Sequence, residues 1–189
     1  MSGLLGDPRY VRQFGESPSV VFTIALLTVL VLAAASLAPR RRPELALTGV
    51  ALAVVLGVTT VPSGGWRNFG LTPAVRTSIA TNVRPERGDL TAWLHAGDGP
   101  LNAVLFLPLG FFLALLLRRP VTAAVACVAL SVAIECYQSS LTTRVGAFQD
   151  VVANGVGALV GAVLAAAVLV VWRPAPPRRR EPAAAGRRN

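Results

Sequence analysis

The sequence predicts an all-α, multi-pass integral membrane protein with about five transmembrane helices, its N-terminus outside and its C-terminus in the cytoplasm. Composition is the first observation behind this class. Of 189 residues, 53% are hydrophobic and 14% charged, and the mean hydropathy is +0.59, whereas soluble domains carry about 25% charged residues. The second is a set of five apolar runs, each near the ~17 to 25 residues that cross a hydrocarbon core. The third is the placing of arginine, which is the only basic residue type besides the single histidine and clusters at the ends of those runs.

The runs define the elements in order. They cover residues 19–38, 44–61, 101–117, 120–138 and 151–172. The first lies too far from Met1, and lacks a clean small-residue cleavage site, to read as a signal peptide, so a retained helix is expected. Residues 1–172 then form a single membrane domain, and "RPAPPRRREPAAAGRRN" at 173–189 is a Pro-, Ala- and Arg-rich tail expected to be disordered. Arg40, Arg41 and Arg42 lie between runs one and two, Arg118 and Arg119 between three and four, and six more arginines in the tail. With five spans these places share one side, which the positive-inside rule makes cytoplasmic. The 62–100 loop and the 139–150 link are therefore expected outside. Localisation to the cell membrane, among membrane lipids, follows. Trp66, Trp93 and Trp172 lie near predicted boundaries, where interfacial anchoring accounts for them.

Other classes are disfavoured. The net charge of +9 could suggest nucleic acid, but no basic stripe interleaved with aromatics occurs, so no nucleic-acid partner is expected. Cys127 and Cys136 are nine residues apart in one run, about 180° around a helix, and cannot pair with each other. No cofactor motif, zinc-ligand pair or nucleophile elbow is present.

Against this background one stretch stands out. "AIECYQSSLTTRVGAFQDVVANGVGALVG", residues 133–161, sets Glu135, Gln138, Arg144, Asp150 and Asn154 into an otherwise apolar sequence. An ionisable group within a span costs about 2.5 to 3.5 kcal/mol on insertion scales, so it normally faces the bundle interior or a wet cavity. Glu135 and Gln138 at i, i+3, and Asp150 and Asn154 at i, i+4, each occupy one helix face. A polar cluster near the outer surface is expected, with Glu135 and Asn154 at one level and Arg144 available to pair with Glu135 or Asp150. Asn102 opens the third run from the same side. Deeper in that run Pro108 removes a backbone donor and can kink the helix around a cavity, and Gly110 allows close approach. Gly157 and Gly161 form a G-x-x-x-G motif, which ordinary contact inside the protein explains better than a homodimer seam.

These residues carry a resemblance. "LNAVLFLPLGFFLALLL", "IECYQ" and "TTRVGAFQDVVANGVGALVG" resemble the VanZ-like family of bacterial membrane proteins. That pattern has an Asn before an apolar run with Pro-Leu-Gly-Phe, a Glu-x-x-Gln pair ending the next helix, an Arg in the link, and Asp-x-x-x-Asn-x-x-Gly-x-x-x-Gly opening the last helix. The positions here are Asn102, Pro108, Gly110, Phe111, Glu135, Gln138, Arg144, Asp150, Asn154, Gly157 and Gly161, within residues 100–162. The Arg144–Asp150 link lacks the extra acids many members carry, and no metal site is expected there. The member that gives the family its name confers resistance to teicoplanin, a lipid-tailed glycopeptide antibiotic, without remodelling the peptidoglycan precursor.

The resemblance implies a cell-envelope role and leaves three readings. Asn102, Glu135, Gln138, Arg144, Asp150 and Asn154 can bind a lipid-linked cell-wall precursor or an acylated ligand such as a lipoglycopeptide, with Arg144 meeting an anionic head group. Alternatively, Glu135 is the catalytic acid or base of an enzyme acting on a lipid-linked substrate. In the third reading the same residues form a clasp that fixes a helix hairpin, with no ligand. The sequence does not set the oligomeric state.

Overall fold

A computed structural model describes residues 17–38, 42–72, 98–144 and 146–172. The basic tail, His95, Trp93 and most of the 62–100 loop lie outside these residues. The described chain is helical: α1 Pro18–Ser36, α2 Arg42–Thr60, α3 Asp98–Leu117, α4 Pro120–Ser140 and α5 Phe148–Val171, with a short 3-10 turn at Trp66–Asn68. All five helices contain segments long and apolar enough to cross a membrane, of 18 to 24 residues, or about 27 to 36 Å at 1.5 Å per residue. The expected all-helical, five-span architecture is therefore observed.

Helix starts follow local chemistry. Pro18 and Pro120 occupy first-turn positions of α1 and α4, where a missing N–H removes nothing the helix needs. Glu44 lies in the first turn of α2, at the positive end of the helix dipole. The α3–α4 link is only Arg118 and Arg119, and Arg118 turns the chain with a left-handed φ of 53°. Within the helices, the hydroxyls of Thr23, Thr48, Thr59 and Thr60 each donate to the carbonyl four residues back at 2.7 Å, which satisfies them in an environment without water.

The centre of the bundle is α3, which packs against α2, α4 and α5, while α1 leans on α2. Gly49 and Gly57 make notches on α2 that seat the side chains of Val31 and Ile24 of α1. The closest approach joins α3 and α5, which run parallel on either side of α4's return. A Cβ on Gly157 would collide with the backbone of Ala103, one on Gly161 with the Leu107 carbonyl, and one on Gly110 with the backbone of Ala158. The G-x-x-x-G seam thus faces α3 within the same chain. Phe106, Leu109, Val55, Cys127, Ile134 and Ala158 fill the core; toward the other end Ala114, Ala123, Ala162 and Ala165 close a layer of small side chains. Large apolar residues cover the outside, among them Phe22, Val29, Val125, Val163 and Val170. Such a surface suits lipid as solvent.

Candidate functional site

The end of the bundle where α2 finishes and α5 begins gathers the polar residues. Because α2 is a helix, its last four carbonyls have no partner within it. Three of them are met by the α4–α5 hairpin. Tyr137 Oη donates to Thr60 O at 3.1 Å, Gln138 Nε2 to Thr59 O at 3.0 Å, and Arg144 Nη2 to Val58 O at 3.3 Å. A guanidinium at this terminus also complements the negative end of the α2 dipole.

The start of α5 is the mirror case. Its N-cap residue, Ala147, has no side chain able to cap. The Glu135 carboxylate arrives instead from α4, and its Oε2 accepts the Ala147 N–H at 2.8 Å. Glu135 is 2% exposed, so a carboxyl group is held at depth against the positive end of a helix. The link reaches this position only because Gly146 has no side chain: a Cβ there would strike Ser139 Oγ and the Glu135 carbonyl. Behind it, Thr142 N donates to Gly70 O and Thr72 N to Ser140 O, each at 3.0 Å, around an antiparallel bridge of Leu71 with Leu141. Trp66 Nε1 donates to Thr23 Oγ1 at 3.0 Å and fastens the same end to α1.

Arg144 is half-buried between these two helix ends. Burial lowers its pKa from the usual arginine value, and the negative fields of Glu135, Tyr137 and Asp150 oppose that shift; the group is a cation throughout the physiological range. Asp150 lies in the first turn of α5. Arg144, Glu135 and Asp150 thus belong to one electrostatic unit.

Two expected members stand apart from it. Asn154 donates through Nδ2 to Ser131 Oγ at 2.9 Å, and Ser131 precedes Glu135 by one turn of α4. Asn154 therefore sits a turn deeper than Glu135 and not at its level. Asn102, half-buried on α3, forms no side-chain hydrogen bond with the cluster among the described residues. Pro108 lies in an α3 that stays helical throughout. It faces an apolar groove of about 380 Å³ between α2 and α3, with Leu47, Ala51, Val54, Val104 and Phe112. The lining of this groove is apolar and includes none of Glu135, Gln138, Arg144, Asp150 and Asn154.

Several participants escape a reading of the sequence alone. Tyr137, Ser131, Ser139, Thr143 and the α2 carbonyls all enter the site. Ser139 Oγ, Thr143 Oγ1 and Asn154 Oδ1 are buried and form no hydrogen bond with the described residues. Ser131, Glu135, Gln138 and Ser139 share a helix face at spacings of four, three and one, and that stripe was the available signal. Among the described residues no group of three His, Cys, Asp or Glu side chains could hold a metal.

No curated protein and no solved structure matches the chain. A family model described as VanZ/LLP1 matches residues 19–171, all five helices and the polar end included, and on that match the chain belongs to the VanZ-like family of membrane proteins.

Proposed function

We propose that this protein works at the outer face of the cell membrane by binding a lipid-linked or acylated envelope ligand, in glycopeptide (teicoplanin) resistance or in cell-envelope homeostasis. The observation that carries the reading is the convergence of Glu135, Gln138, Arg144 and Asp150 at one end of an otherwise apolar bundle, with Glu135 and Gln138 buried. Charge at that depth is by default a sign of a working site. The buried hydroxyls of Ser139 and Thr143 and the Asn154 Oδ1 add hydrogen-bonding capacity that the described residues leave unused. Membership of the VanZ-like family supports the envelope setting. In this reading residues 1–172 are the membrane domain and 173–189 a basic cytoplasmic tail.

A structural reading has its own support. The donors of Tyr137, Gln138 and Arg144 all engage α2 carbonyls, and Glu135 engages the α5 N-cap. A clasp alone would make functional loss track loss of folded protein. An acid or base role for Glu135 calls for turnover of a lipid-linked substrate that Glu135→Gln abolishes.

The test compares teicoplanin and vancomycin susceptibility in a sensitive host expressing the wild type, Glu135→Ala and Arg144→Ala, with membrane levels matched by immunoblot. Protection selective for teicoplanin, lost in well-inserted variants, is the expected outcome. Protection by the wild type that survives both substitutions would remove the polar cluster from the ligand site, and no protection by the wild type would remove resistance as the role.

A further inference from the structure

Beneath the charged cluster the bundle carries a second, uncharged polar level, stacked on the apolar core. Phe106 of α3, Cys127 of α4 and Ala158 of α5 belong to one buried cluster. One turn toward the polar end from each of them stands a polar side chain: Asn102 four residues before Phe106, Ser131 four after Cys127, and Asn154 four before Ala158. Residues four apart share a helix face, so all three belong to the faces that carry the core. Two contacts set their heights. Asn154 Nδ2 donates to Ser131 Oγ at 2.9 Å. Gly157, three residues below Asn154, abuts the Ala103 backbone, which puts Asn102 within about one turn of Asn154 on the adjoining helix.

This level is short of partners. Asn154 is 2% exposed, and its Oδ1 has no hydrogen-bond partner among the described residues. A carboxamide oxygen only accepts, so what it lacks is a donor. Ser131 is fully buried and accepts from Asn154, but its own hydroxyl proton goes to no acceptor among the described residues. The hydroxyls of Thr23, Thr48, Thr59 and Thr60, by contrast, each bond the carbonyl four residues back. Asn102, half-buried, forms no side-chain hydrogen bond among the described residues. Three helices thus bring an unused acceptor, an unused hydroxyl proton and an unused carboxamide to one level.

From this convergence we infer that α3, α4 and α5 enclose an internal hydration site, in which one ordered water donates to Asn154 Oδ1, accepts from Ser131 Oγ and meets the Asn102 carboxamide. About three partners is usual for a buried water, and a neutral molecule suits a level without formal charge. Ser131 is one turn of α4, about 6 Å, beneath Glu135. The water therefore extends the polar surroundings of that carboxyl group a turn deeper into the bundle. The inference goes beyond the ligand reading, because the water belongs to the bundle whether or not a ligand is bound above it.

The experiment is X-ray hydroxyl-radical footprinting of the full-length protein in vesicles of phosphatidylglycerol and phosphatidylethanolamine, in isotopically labelled water, with oxidised residues mapped by mass spectrometry. Radicals formed from a bound water oxidise the side chains beside it. Phe106, although 0% exposed, should therefore take up label at a dose that oxidises the exposed Phe69, while Leu109, buried two turns from Asn102 on the same face, should not. Asn154→Leu and Asn102→Leu each replace a carboxamide by an apolar side chain of similar volume and remove one partner of the water. Both should lose the Phe106 label and keep that of Phe69. Release of an ordered water regains entropy that offsets the bonds lost, so the label, and not thermal stability, reports the site. Phe106 unlabelled in the wild type, or a Phe106 label that survives both substitutions in well-inserted protein, would overturn the inference. So would a label suppressed by sodium but not by N-methylglucamine, which would give the level to a monovalent cation. Labelling is read without any antibiotic, so a failed susceptibility test and a dry interior are separate results.

Discussion

At the residue scale, the charges of the polar end are arranged by helix dipoles as much as by one another. Glu135 supplies the acceptor that Ala147 lacks a cap for. Glu135→Ala leaves that part-buried N–H without its acceptor, a loss of about 1 to 3 kcal/mol. Glu135→Gln keeps an acceptor oxygen and is expected to lose much less; thermal unfolding in detergent micelles separates the two, and equal losses would refute the capping account. Arg144→Ala removes a charged donor from Val58 O and should cost about 1.5 to 3 kcal/mol in the same assay, with Arg144→Lys recovering part of it because a cation remains at the end of α2. Asn154 differs, since its Nδ2 bonds Ser131 while its Oδ1 lies buried without a partner among the described residues. Removing the side chain discards a poorly satisfied group together with a bond of about 0.6 kcal/mol, so Asn154→Ala should unfold close to the wild type. Lost teicoplanin protection in that stable variant would place Asn154 at the ligand, whereas a loss of stability as large as that of Glu135→Ala would show the bond to Ser131 to be structural.

At the element scale, the helices were legible because each is a continuous apolar run bounded by proline or arginine, and those signals are local. The partners of the polar residues are not local. Glu135 and Gln138 share a face of α4, yet Glu135 turns to the start of α5 and Gln138 to the end of α2, a division set by which helix ends meet there. The bond from Arg144 to Val58 spans 86 positions, and nothing in the link around Arg144 points to α2. Ser131 was hidden for another reason: a serine in a spanning helix can satisfy itself on its own backbone, so its polarity alone does not signal a partner. The glycines make the same contrast testable. Gly157 meets the Ala103 backbone, which cannot yield as a side chain does, so Gly157→Ala should force α3 and α5 apart at about 1 to 3 kcal/mol. Gly155, two residues away, has only Val128 Cγ2 at 3.4 Å, an ordinary contact, and Gly155→Ala should stabilise α5 by about 0.5 to 1 kcal/mol. Opposite signs in thermal unfolding are expected, and a neutral Gly157→Ala would mean that the seam is not closely packed.

At the scale of the whole molecule, the direction in which the bundle crosses the membrane decides what the polar end can meet. Successive spans alternate, so the α1–α2 link, the α3–α4 link and the end of α5 lie at one end, and the 3-10 turn and the α4–α5 link at the other. The first end carries Arg40, Arg41, Arg42, Arg118, Arg119 and the arginines of the tail, while the short α4–α5 link at the second carries Arg144 alone. That bias favours a cytoplasmic basic end and an external polar end. Trp66 and Phe69, both more than 40% exposed, suit the polar end to an interfacial level. In a background with Cys127 and Cys136 replaced by alanine, a membrane-impermeant maleimide should label Thr142→Cys in intact cells and Trp172→Cys only after permeabilisation. Both positions are exposed and leave every arginine in place. The reverse pattern would put Glu135 and Arg144 on the cytoplasmic side, where an antibiotic or precursor in the outer leaflet cannot reach them, and would overturn the outer-face reading even if expression of the protein conferred resistance.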